Sequence, residues 1–96
     1  MARSPKIKPP LSGVPHGECF WACDGRISGN LKELRDNIAE MSEEAFYYHC
    51  NREKNDFAVW IAESLKDEDL AKAVRKAKDR KGVIKKIEAR LKDFSF

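Results

Sequence analysis

The chain predicts a mainly α fold, a compact bundle of about five short helices with a short N-terminal β-hairpin, and three observations carry that expectation. Apolar residues recur at helical spacing in separate stretches from Leu31 onward. Each stretch follows a residue suited to capping a helix N-terminus: Asn30, Ser42, Asn55 or Asp56, Asp67 and Asp79. Upstream, the strand formers Cys19-Phe20-Trp21-Ala22-Cys23 and Arg26-Ile27-Ser28 flank Asp24-Gly25, a strong turn signal.

Residues 1–17 hold four prolines, two glycines and the basic Arg3, Lys6 and Lys8, which predicts a flexible Pro-rich arm ahead of one helical domain over 18–96. The hairpin that follows is too small to stand alone in water. It is expected to lie on the helices with Phe20, Trp21 and Ile27 as its anchor. Asn30 opens the first helix, with Glu33 completing a capping-box-like signal, and Leu31, Leu34, Ile38 and Met41 share its apolar face. Ser42 caps a second helix ending near 49–51, with Phe46, Cys50 and the adjacent Tyr47 as its packing face.

After the polar hinge of 51–55, Phe57, Trp60, Ile61 and Leu65 define a third helix at the centre of the core. Asp67 opens a fourth, with Leu70, Ala73, Val74 and Ala77. Asp79 and Gly82 mark a restart into a fifth, with Val83, Ile84, Ile87, Leu91 and Phe94. A rival reading fuses these two, because Leu70, Ala77, Ile84 and Leu91 recur every seven residues; Arg80 interrupts the companion row of Ala73, Ile87 and Phe94.

Composition narrows the function classes. Apolar residues make up 42% of the chain and charged residues 36%, a globular balance with a heavily charged surface. No apolar run approaches the roughly 18 residues that cross a bilayer, and the first 15 residues lack the apolar middle of a signal peptide, so a cytoplasmic, non-membrane protein is expected. Cys19, Cys23 and Cys50 are an odd number without a CxxC pair, which fits a reducing compartment. Thiolate and imidazole are zinc ligands, but His49 and Cys50 are adjacent, and neighbours on a helix point about 100° apart. The cysteines are therefore read as small buried hydrophobes, and no metal or other cofactor is assigned.

Phe20 with Asp24-Gly25-Arg26, Asn30-Leu31-x-Glu33-Leu34, Phe46, His49, Asn51 and Lys54-Asn55-Asp56-Phe57 with Trp60-Ile61 form a pattern spanning about residues 19–91. In that pattern the chain resembles a family of small, largely archaeal uncharacterised helical domains. The resemblance implies an intracellular prokaryotic protein with a shared fold. It implies no activity and carries over no catalytic residue.

The net charge of +3 hides a polarised chain. Residues 72–92 hold ten basic side chains against Asp79 and Glu88, whereas residues 30–70 hold eleven acids against five bases. A basic helical surface attracts phosphates through counterion release without reading bases. Arg75, Lys76, Lys78, Arg80, Lys81, Lys85 and Lys86 are the residues expected to bind nucleic acid, with Arg3, Lys6 and Lys8 as auxiliaries. The competing explanation is a solvated surface, or an internal partner for the acidic helices.

In the hinge, His49, Asn51, Lys54, Asn55 and Asp56 are the ingredients of an acid–base site, but helix capping explains them more simply. No nucleophile beside a base, Gly-rich phosphate loop or zinc-helix motif is present. The expected function is non-catalytic binding of nucleic acid, DNA or RNA, through the basic C-terminal helices. The alternative is a protein–protein interaction or assembly module, including a homodimer formed through the seven-residue row and the terminal Phe94 and Phe96.

Overall fold

In a computed structural model that describes residues 13–93, β1 (Phe20–Trp21) and β2 (Ile27–Ser28) precede five helices: α1 (Leu31–Glu40), α2 (Glu43–His49), α3 (Asp56–Ser64), α4 (Glu68–Lys76) and α5 (Arg80–Lys92). Each helix opens where the sequence places a capping residue. The side chains of Asn30, Ser42, Asn55, Asp67 and Asp79 accept hydrogen bonds from the backbone N–H three residues on. Glu33 reaches back to the Gly29 N–H at 2.8 Å, which completes the box that the spacing implied.

The helix is interrupted from Ala77 to Asp79, both extended, so α4 and α5 are separate helices. Gly82 makes the tight restart possible, since a Cβ there would stand 2.9 Å from the capping Asp79 oxygen and 3.2 Å from the Ala77 methyl. The seven-residue row is not a free seam. Leu70 is buried, and Ala77, Ile84 and Leu91 pack partly buried against this chain's own core. Phe94 and Phe96 lie outside the described residues, as do Arg3, Lys6 and Lys8.

The α3 helix packs on α4, α4 on α5, α5 on α1, and α1 on β2. Phe57 sits at the centre, stacked 5.6 Å from Phe46 and tilted 5.2 Å from Phe20. Leu34, Ile38, Ile61, Leu65, Val74, Val83 and Ile87 fill the layers around it. Burying side chains of this size contributes roughly 1.5–3 kcal/mol each. Trp60 adds its ring to the same cluster and donates its indole N–H to the Glu18 carbonyl at 2.7 Å. That bond ties the N-terminal segment to the helices. Within the stretch expected to be an arm, Val14 also packs on the core and donates its N–H to Gly29, so the segment 13–17 is docked on the domain.

Two packing faces differ from expectation. Of the three proposed hairpin anchors only Phe20 is buried, whereas Trp21 and Ile27 are exposed. The register explains this. Phe20 faces Ser28 and Trp21 faces Ile27, and side chains alternate across a sheet, so an inward Phe20 turns the other pair to solvent. Ser28 takes the second inward position and is satisfied by the Asn37 amide at 2.8 Å. On α2, Tyr47 is exposed and the buried face is Ala45, Phe46 and His49. His49, three residues after Phe46, shares its side of the helix, whereas Tyr47 is rotated by about 100°.

Candidate nucleic-acid interface

The segment between α2 and α3 is a hydrogen-bonded reversal. Asn51 donates its backbone N–H to the Lys54 carbonyl at 2.9 Å, and an isolated bridge pairs Cys50 with Asn55. The Asn51 side chain donates to the Tyr47 carbonyl and accepts from Glu53, ending α2 and setting the turn. Asn55 then does two jobs. Its oxygen caps α3 and its amide nitrogen donates to the Val74 carbonyl at 3.2 Å, clamping the turn to the end of α4.

This clamp creates a cleft of about 740 Å³ between the turn and the α4–α5 junction. Arg52, Glu53 and Lys54 form one side, Arg75, Ala77 and Lys78 the other, with Tyr47, Cys50 and Val59 supplying thiol and apolar surface. Lys54 is already engaged, 3.1 Å from Asp56 and 4.4 Å over the Tyr48 ring. Arg52, Arg75 and Lys78 have no carboxylate partner among the described residues, and Glu53 is the acid in the lining. Burial pushes the Cys50 thiol above its ordinary range, more than the nearby Lys78 charge pulls it down, so Cys50 meets the cleft as a neutral thiol.

The seven predicted binding residues do not behave alike. Arg75 and Lys78 share the cleft rim. Lys76 and Lys72 occupy the outer face of α4, opposite Leu70, Ala71 and Val74. Lys81 and Lys85, one turn apart, form an outer stripe on α5 that Lys92 extends. Lys86 lies apart, in a shallow depression between α4 and α5 that also holds Asp69, Arg90 and Asp93. Arg80 turns inward. Its guanidinium donates to the carbonyls of Ile38, Ala39 and Met41, at 3.3, 3.3 and 2.6 Å, and lies 5.8 Å from the Phe46 ring. It closes the C-terminal end of α1, whose last turn carries no cation of its own.

The acidic helices take little from the basic end. Asp36 pairs with Lys32 and Arg35, and the Lys32 hydrogen bond holds its carboxyl below the usual range. Arg35 continues to Glu88 at 3.0 Å, an acid on the basic helix. Arg90 is the exception. It binds the buried Asp67 carboxylate at 2.7 Å through Nε, while Asp67 also caps α4.

His49 and Asp56 do come together, with Nδ1 at 2.9 Å from the carboxylate, but they sit outside the cleft lining. The other ring nitrogen, Nε2, accepts the Cys23 backbone N–H at 2.9 Å. With an acceptor at Nε2, the proton belongs on Nδ1, and neither nitrogen has capacity left for a substrate. The pair latches the hairpin to α2 and α3. Among the described residues no cluster of three or more His, Cys, Asp or Glu side chains is placed to hold a metal ion. Cys23 reaches His49 through its backbone and leaves its thiol exposed.

Residues 19–89 match a protein family described as a family of unknown function, DUF5752. The chain belongs to this family. The DUF5752 region begins one residue before β1 and ends inside α5, so it takes in the hairpin, the latch, the clamped turn and both walls of the cleft. No curated protein and no solved structure matches the chain. No helix of the described residues is long and apolar enough to cross a membrane.

Proposed function

We propose that this domain is a non-catalytic binder of nucleic acid that works in the cytoplasm, contacting phosphates through the cations of α4, α5 and the junction between them. One observation carries the reading: Arg75, Lys76, Lys78, Lys81, Lys85 and Lys86 have no carboxylate partner among the described residues, and all six are exposed. A surface whose positive charge is not neutralised internally holds counterions that a polyanion releases on binding. Arg80 is set apart as a structural residue, because its Nη1 is bound to the carbonyls at the C-terminal end of α1.

The test is fluorescence anisotropy of labelled duplex DNA and single-stranded RNA at about 50 and 200 mM salt, with the wild-type chain and a Lys81→Glu/Lys85→Glu variant. Each phosphate contact adds about 0.9 to the slope of log affinity against log salt on duplex DNA. The double variant is expected to lower that slope by about 2. Unchanged affinity in the variant removes the α5 stripe from the site, and absence of binding by the wild type at low salt overturns the reading.

A second reading, docking of a protein, draws on the hairpin. Trp21 and Ile27 stand exposed as a cross-strand pair with His16 edge-on to the indole at 5.2 Å. Paired aromatic and aliphatic surface of this kind is typical of interaction sites. Loss of binding to a protein partner on Trp21→Ala, with nucleic-acid affinity absent, distinguishes it.

A further inference from the structure

We propose that the cleft between the 51–54 turn and the α4–α5 junction takes an unpaired nucleotide of single-stranded nucleic acid, its base against Tyr47 and its phosphates against Arg52, Arg75 and Lys78; this rests on the nucleic-acid reading above and names the strand form. The cleft volume of about 740 Å³ falls within the range of roughly 300–1,000 Å³ typical of small-ligand sites. A base that remains paired and stacked inside a duplex cannot enter such a cleft; only its phosphates reach the rim. A splayed base can enter, and single-strand binders combine a stacking aromatic with cations that track the backbone.

Tyr47 has the required setting. It lines the cleft, is 45% exposed, and is held edge-on by Phe46 at 4.9 Å, so its ring is oriented before a ligand arrives. The two walls are also tied together. Asn55 clamps the turn to Val74, and Asn51 fixes the turn to the end of α2. The rim cations have no competing carboxylate partner, unlike Lys54, whose ammonium is shared between Asp56 and the Tyr48 ring. The neutral Cys50 thiol adds polarisable surface without a negative charge that would repel a phosphate.

The experiment compares anisotropy of labelled oligo-uridylate, oligo-deoxyuridylate and a duplex of the same length on the wild-type chain, Tyr47→Ala and Tyr47→Phe. Tyr47→Ala is expected to weaken single-strand binding by about tenfold or more, the scale of one base–aromatic stack, and duplex binding less than about twofold. Tyr47→Phe keeps the ring and is expected to restore single-strand affinity, which separates stacking from loss of fold; a thermal melt of each variant checks the same point. The ratio of affinities for oligo-uridylate and oligo-deoxyuridylate, which differ only in the 2′-hydroxyl, assigns the preferred sugar. Equal effects on strand and duplex, or none on either, overturn the cleft assignment while leaving the charged surface in place. If the wild type binds neither, the broader reading fails and the cleft assignment falls with it.

Discussion

Arg80 and Arg90 differ from the other cations of the same basic end in one respect, whether their donors are already used. Arg90 is spent on Asp67, and Arg80 on two carbonyls of α1 and that of its C-cap Met41. Arg75, Lys76, Lys78, Lys81 and Lys85 spend nothing on a carboxylate among the described residues. The first pair holds the bundle together at α1 and α4, and the second group leaves charge available to a ligand. The lesson is that a basic stretch in sequence contains both kinds. Only partners distinguish them, so charge reversal of Arg80 together with its lysine neighbours would confuse folding with binding.

The largest expected effect tests the anchored side. Arg90→Ala leaves the Asp67 carboxylate, 2% exposed, without its cation, and removing one partner of a buried pair costs about 3–5 kcal/mol. A denaturant melt measures it. A loss below about 1 kcal/mol would mean that solvent reaches Asp67, and the contrast with the surface lysines would weaken. Next comes Arg80→Ala. It deprives carbonyls at the end of α1 of a charged donor and is expected to cost about 1–3 kcal/mol. By contrast, Lys81→Glu/Lys85→Glu is expected to move stability by no more than about 0.5 kcal/mol while lowering the salt slope of nucleic-acid binding. Equal stability losses in the arginine and lysine variants would erase the division.

Much of the fold was legible in the sequence because its signals are local. The five caps, the Asp24-Gly25 turn and the apolar faces of α1 and α3 depend on residues a few positions apart, and all appear where spacing placed them. The misreadings share a cause. Trp21, Ile27 and Tyr47 are large and apolar or aromatic, so residue type suggested burial; register and helical phase decided otherwise. The candidate site was legible only in halves. Charge marks Arg75 and Lys78 in the sequence, and polarity marks the hinge of 51–55. Nothing in the sequence shows that the Asn55 amide spans 19 positions to Val74 and brings those halves together. For the same reason Arg80, whose partners lie 39 to 42 positions away, looked like a surface cation.

The smallest expected effect lies on the boundary between the two groups, at Cys50. Its thiol is 3% exposed yet meets the cleft, whereas Cys23 is exposed outright. Burial raises the folded-state pKa of Cys50 above the unfolded value, with Asp56 and Asp79 adding to the rise and Lys78 opposing it. A neutral thiol favoured by the fold makes no difference to stability at neutral pH, because folded and unfolded chains both keep the proton. Above the ordinary thiol range, near pH 8.5, the unfolded chain releases its proton first, and stability falls as pH rises toward the folded value. Cys50→Ala is expected to flatten that alkaline decline relative to the wild type in melts across about pH 7–10. Labelling with a thiol reagent near pH 8 gives the complementary reading: Cys23 reacts quickly and Cys50 slowly, since the thiolate is the nucleophile and burial withholds it. Comparable labelling rates at the two positions would show that the cleft opens to its floor in solution, and the contrast between a closed scaffold and an available rim would then have to be redrawn at Cys50.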